Sequence, residues 1–279
     1  MLAIAASHDL DKSGAPPSHG LFLLFTEGNR PDREAIREFV RAQQKVSISF
    51  DPAARPNLRL VPEGGEAPAP SDSDNTRSSD WLELLFAGLT FDLEGFSPGA
   101  SIRARHVEHS FDFDGMSSPL QMEALRLVPG RHLSGGETSL PVVGAMLELA
   151  RELIQHFDTI EGAVWPPSRS VIGRRFFEST VTAWLAGGAF PALGLTAFQE
   201  SFDGALHSVG LSYFIEQELR IEPSLAADRI AATRLGIRLV NQLIILGRLS
   251  HEEQVVAPDG SRLALVPSGN GKLIQVQPA

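Results

Sequence analysis

The chain has 279 residues, no cysteine and a formal net charge of -10. That length can bury a substantial core without covalent staples, and the missing cysteines exclude a disulfide framework, a thiolate nucleophile and a cysteine-ligated zinc. The acidic balance sets the field of the molecule against phosphate backbones and anionic lipid surfaces, and apolar runs such as "LIIL" at 243–246 fall far short of the roughly 20 residues a spanning helix needs.

In chain order, "MLAIAAS" is too short for the apolar region of a secretory signal, and polar residues follow at once, so residues 1–18 read as a flexible tail. With no cysteine, this points to a cytoplasmic location. "GLFLLFT" at 20–26 reads as a buried strand. Pro31 and Asp32 open a helix to about Gln44 with Ile36, Phe39 and Val40 inward. "KVSISF" at 45–50 alternates as a half-buried strand, and "NLRLV" at 57–61 is a candidate partner. The Pro-, Gly-, Ser- and Asp-rich residues 62–80 read as a mobile loop. Strand character resumes at Trp81, continues through the alternating Leu89, Phe91 and Leu93, and is expected again around 101–113.

In the second half, Thr138 or Ser139 caps a helix that Pro141 starts, with Val142, Met146, Leu149, Leu153 and Phe157 at helical spacing. "GAVWP" at 162–166 reads as a short buried strand. A helix follows with Phe177, Val181 and Trp184 on one stripe, stopping at Gly187 and Gly188. Strands are expected at about 191–198, 205–214 and 217–222. A long helix from about Asp228 turns Leu235, Leu239, Leu243 and Leu246 inward and ends at Gly247. Asp259-Gly260 marks a hairpin and "GKLIQVQ" a last strand. The predicted class is α+β, with antiparallel sheets carrying helices on one face. It is arranged as two similar β-α-β-rich halves over residues 19–130 and 131–279.

The second half carries "GAVWPPS" (Ala163, Val164, Trp165), "FPALGLTAF" (Pro191, Leu193) and "SVGLSYFIEQELRI" (Gly210, Leu211, Phe214, Glu218, Leu219, Ile221). On these segments, and on the helix ending at Gly247, residues 140–279 resemble a bacterial domain-of-unknown-function family, number 4261. The resemblance implies an α+β fold and assigns no catalytic residue. The chain departs from the family pattern in lacking a tryptophan after the "PL" position, in carrying Ile215 where a glycine is expected, and in lacking the closing "GDT".

Four stretches bear on chemistry. "RHVEHSFDFDG" at 105–115 offers two histidines and three carboxylates. In a strand, however, His106, Glu108, Ser110 and Asp112 face one way while His109 faces the other with Val107, Phe111 and Phe113, so the imidazoles cannot share a metal. No metal site is expected. The most basic short stretch, "PPSRSVIGRRFF", follows Trp165 at the end of a strand and puts Ser168, Arg169, Arg174 and Arg175 at the entry to a helix, where free amides and arginine forks suit an anion. These five are the candidate ligand-binding residues, against the plainer reading that the arginines pair with nearby acids. "PSGNGKL" at 267–273 lacks the first glycine, the Ser or Thr and the helix of a phosphate loop, and the Gly pair in "RHLSGGETS" reads as a turn.

No motif assigns a catalytic residue or a cofactor. The expected function is a non-enzymatic binding or protein-interaction module with a homodimeric or other protein partner, and neither nucleic acid nor membrane. The alternative is a small-anion binder or enzyme using the arginines near Trp165.

Overall fold

A computed structural model of the protein describes residues 20–54, 81–104, 106–115, 117–257 and 259–279. The expected tail at 1–18, strand at 57–61 and loop at 62–80 lie outside the described residues. The fold is α+β, as expected, with two mixed but mostly antiparallel sheets.

The chain opens with β1 (Leu21–Phe25), α1 (Arg33–Ala42) and β2 (Val46–Phe50). Asp32 caps α1 by accepting from the Ala35 amide, and Ile36 and Phe39 are buried beneath it. A hairpin of β3 (Trp81–Phe86) and β4 (Leu89–Glu94) turns at Ala87 and Gly88, both with positive φ. Then come the three-residue β5 (His109–Phe111), β6 (Glu123–Pro129) and α2 (Leu140–His156). After these follow β7 (Ile160–Trp165), β8 (Ser170–Gly173) and α3 (Arg174–Leu185).

The rest comprises α4 (Ala192–Leu195), β9 (Ala197–Glu200), β10 (Leu206–Val209), α5 (Ser212–Ile215) and β11 (Glu218–Ile221). These lead to α6 (Pro223–Ala226), α7 (Arg229–Leu246), β12 (Glu253–Val256), β13 (Arg262–Pro267) and β14 (Leu273–Pro278). At the expected Asp259-Gly260 hairpin, the Asp259 carboxylate accepts from the Ser261 amide and hydroxyl and Gly260 takes a positive φ.

The larger sheet has the order β2-β3-β4-β6-β1-β7-β8-β5 and the smaller β12-β13-β14-β11-β10-β9. Among the described residues, only β5–β8 and β11–β14 are parallel neighbours. The larger sheet draws strands from both sides of residue 130, and its central β6 lies between β4 and β1. Along β1, Leu21, Leu23 and Phe25 enter a continuous core shared with the helices and the smaller sheet. Phe22 and Leu24 enter a second, smaller cluster on the opposite face. Loop residues Ile102, Ala104, Val107, Phe113 and Met122 cover that second face. Among the described residues no helix is long and apolar enough to cross a membrane.

Several local expectations are corrected. The strand expected over 101–113 shrinks to β5 and an isolated bridge at Ile102, because His106 and Asp112 take positive φ of 54° and 51° and break the extended path. The strand expected from 191 starts only at Ala197, after a tight turn through Gly194 at φ 102°. The one expected over 205–214 ends at Val209, where Gly210 at φ 94° leads into α5. Leu246 is 52% exposed instead of inward.

Candidate functional site

The helix start expected to gather the arginines is interrupted by β8, so α3 begins only at Arg174. Trp165 ends β7 fully buried, with Tyr213 edge-on at 5.2 Å and Phe214 stacked at 6.3 Å between ring centroids. Its indole Nε1 is buried and donates to no described residue. Ser168 is also fully buried; its hydroxyl donates to the Gly194 carbonyl at 2.6 Å and lies 2.8 Å from the Ser170 hydroxyl. Gly210 presses against the same turn, where a Cβ would meet the Ser168 backbone at 2.9 Å. The Trp165–Ser170 connection is thus packed against the turns at Gly194 and Gly210, which flank the smaller sheet.

The arginines separate. Arg169, in left-handed conformation, pairs with Glu108 at 2.7 Å. Arg174 donates to the Phe157 and Ile160 carbonyls at 3.1 and 3.5 Å and meets Asp158 at 3.2 Å, satisfying the C-terminal end of α2. Arg175 is exposed on the first turn of α3 and makes no ion pair with a described residue. Arg169 and Arg174 stand at opposite ends of β8, on the order of 15 Å apart for a strand of that length. An anion at Arg169 has to displace Glu108, and one at Arg174 has to displace Asp158.

What the structure brings together instead are two stretches about sixty residues apart in sequence. β5 runs parallel to β8 at the sheet edge, with His109, Ser110 and Phe111 opposite Ser170, Val171 and Ile172. The Arg169 carbonyl accepts from the amides of both Glu108 and His109, at 2.8 and 3.1 Å. The Glu108–Arg169 pair closes the same junction, although with both side chains about 40% exposed it contributes only about 0.2–1 kcal/mol. Gly173 completes the approach, since a Cβ there would lie 1.7 Å from the Asp112 carbonyl oxygen.

His109 and Phe111 turn inward, as expected, and His106 and Glu108 outward. Phe111 stacks on Phe176 of α3 at 6.3 Å. The expectation that Val107, Phe111 and Phe113 share one face is corrected. Val107 and Phe113 pack in the second cluster, on the far side of the sheet from Phe176; for Phe113 the positive φ at Asp112 turns the chain over. The His109 imidazole is half-buried, and burial holds its pKa below the usual value, with Glu108 opposing and Arg169 assisting. Its Nε2 is buried without a hydrogen bond to any described residue. Among the described residues no group of three His, Asp or Glu side chains is placed to hold a metal.

On the second face this junction borders a cavity of about 360 Å³. Val107, Phe113 and Val171 supply its apolar wall and Ser110, Ser117 and Ser118 its hydroxyls, with Glu108 and His109 also lining it. None of the three serine hydroxyls bonds to another described residue. Phe113 is fixed against Gly115 and Gly162, at either of which a Cβ would approach its ring within 3.0 Å. The sequence gives no sign of these serines as a group, because only the return of β8 beside β5 builds the wall they face.

The residues that carry the family resemblance do structural work. Glu218 accepts from the amides of Gly210, Leu211 and Ser212 at 2.9, 3.2 and 3.0 Å and from the hydroxyls of Ser208 and Ser212. It holds the β10–β11 connection closed while Leu211, Leu219 and Ile221 enter the core. Compared with protein-family models, with curated proteins and with solved structures, the chain matches none of them.

Proposed function

We propose that the protein is a non-enzymatic binding module, and that the β5–β8 edge is where it takes its ligand. The observation that carries this reading is the cavity beside β5, bracketed by two non-glycine residues, His106 and Asp112, in left-handed conformation. Each such residue costs on the order of 1 kcal/mol, and a fold keeps that strain where it presents a segment in a required shape. The cavity's size is within the range of small-molecule sites, about 300–1,000 Å³. The test is a thermal-shift screen of small molecules against the native chain and Ser110→Trp, whose indole would occupy the cavity. Stabilisation of the native chain that the variant loses supports the reading. A screen in which no compound discriminates the two removes it.

A protein partner or a second copy of the chain is favoured by a different observation. On α7, Ile230, Arg234, Arg238 and Ile245 share an outward stripe, and the two isoleucines are 66% and 84% exposed. Sedimentation of the native chain and Ile245→Asp tests the homodimer: concentration-dependent association that the variant lacks is expected, and a monomer at every concentration refutes it. The cysteine-free composition fits a cytoplasmic site of action, and the net charge of -10 favours neither nucleic acid nor an anionic membrane as partner.

A further inference from the structure

The outward stripe of α7 is self-complementary about a two-fold axis. Ile230 and Ile245 lie at equal distances, about 11 Å along the helix, from a point between Ile237 and Arg238. Exposed apolar side chains gather at both ends. Leu246 adds to Ile245 at one. At the other, the Arg229–Glu200 ion pair ties the start of α7 to the end of β9, and the next turn carries Phe202 fully exposed. That turn is braced, since Asp203 accepts from the Ser201 hydroxyl and the Ala205 amide and pairs with Arg220.

A second copy laid antiparallel on the stripe sets the Ile230 end of each helix on the Ile245 end of the other. Arg234 then falls opposite Asn241, whose Nδ2 donates to the Ile237 carbonyl and whose Oδ1 is left to accept. A parallel pairing would instead set Arg234 and Arg238 each against its own copy and align the helix dipoles, both unfavourable. The antiparallel seam keeps one conflict. Arg234 and Arg238 are exposed, and the residues of both copies fall within about 5 Å of the axis, measured along the helix. Four guanidinium forks so gathered are matched by a multivalent oxyanion, and one copy supplies only half of them.

We propose that α7 pairs antiparallel with α7 of a second copy, and that Arg234 and Arg238 of both copies form a site at the two-fold axis for a free multivalent oxyanion, which tightens the dimer. This inference rests on the homodimer reading and adds its geometry and its ligand class.

The chain has no cysteine, so introduced thiols report the pairing. On oxidation, Ile230→Cys/Ile245→Cys should cross-link position 230 of one copy to position 245 of the other. Ile230→Cys alone should not, because its two thiols lie about 22 Å apart along the seam. Sedimentation of the full chain in chloride and in pyrophosphate, at matched ionic strength, tests the ligand. Pyrophosphate is expected to tighten the dimer about tenfold, with one ion bound per two chains by calorimetry. Arg234→Ala/Arg238→Ala should dimerise at least as well as the native chain in chloride and gain nothing from pyrophosphate. All the substituted positions are exposed, and unchanged circular dichroism is expected to confirm that the variants fold. A 230–245 cross-link in a dimer that pyrophosphate leaves unchanged, or tightens equally without the arginines, overturns the anion site and leaves the homodimer standing. Cross-linking of Ile230→Cys alone, or association that Ile245→Asp leaves intact, overturns the antiparallel seam. A monomer at every concentration in both salts overturns the homodimer with it.

Discussion

Glu218 gathers three backbone amides and two hydroxyls around one carboxylate, so removing it strands several donors at once. Glu218→Ala is expected to cost about 2–4 kcal/mol in urea unfolding. Glu218→Gln should cost less, because its amide oxygen still accepts. Gly210 is constrained twice, by a φ of 94° and by the Ser168 backbone 2.9 Å from where a Cβ would sit. Gly210→Ala should therefore cost at least about 2 kcal/mol in the same measurement. At this scale the sequence was legible where a residue acts on near neighbours, as with Asp32 capping α1. Arg169 and Arg174 show the limit: their type and spacing suggested either an anion site or pairing with nearby acids, and they pair with Glu108 and Asp158. Neither partner could be read from the local pattern.

α7 separates residues that its hydrophobic pattern makes look equivalent. Leu243 is fully buried against the smaller sheet and Leu246, one turn on, is 52% exposed. Leu243→Ala is expected to cost about 2–5 kcal/mol and Leu246→Ala no more than about 0.5 kcal/mol, read from unfolding midpoints. Periodicity located the long elements α1, α2, α3 and α7, because a helix must bury one stripe whatever it packs on. It failed on short strands. β6 alternates only through Leu125 and Leu127, too short a pattern to mark a strand, and the residues of β8 read as the start of α3. Such strands exist because neighbouring strands supply their hydrogen bonds, a condition set by topology and not by their own residues.

Over the whole molecule, two half-buried histidines make stability depend on pH. Burial holds His109 and His207 below the usual imidazole value; Arg220 assists at His207, while Asp203 and Glu218 oppose. A folded-state pKa below the unfolded value of about 6.5 gives stability that is present above that pH and is lost as pH falls below it. The thermal midpoint should therefore drop between about pH 7 and pH 5, and less steeply in a His109→Gln/His207→Gln variant. A second loss is expected below about pH 4. There burial opposes, but hydrogen bonds from Arg37 at Asp51 and from Arg30 at Glu123 hold these carboxyls low. Asp203 is pushed down to about 2 by Ser201, the Ala205 amide and Arg220. By itself the sequence determined the α+β class, the long helices, the Asp259-Gly260 hairpin and the outward and inward turns of His106 and His109, because these follow from composition and from side-chain periods within one segment. Only the tertiary structure decided that β5 lies beside β8, that Glu108 meets Arg169 and that Ser110 shares a wall with Val171. Strand order is fixed by the burial of whole faces against one another, and no single segment carries that information.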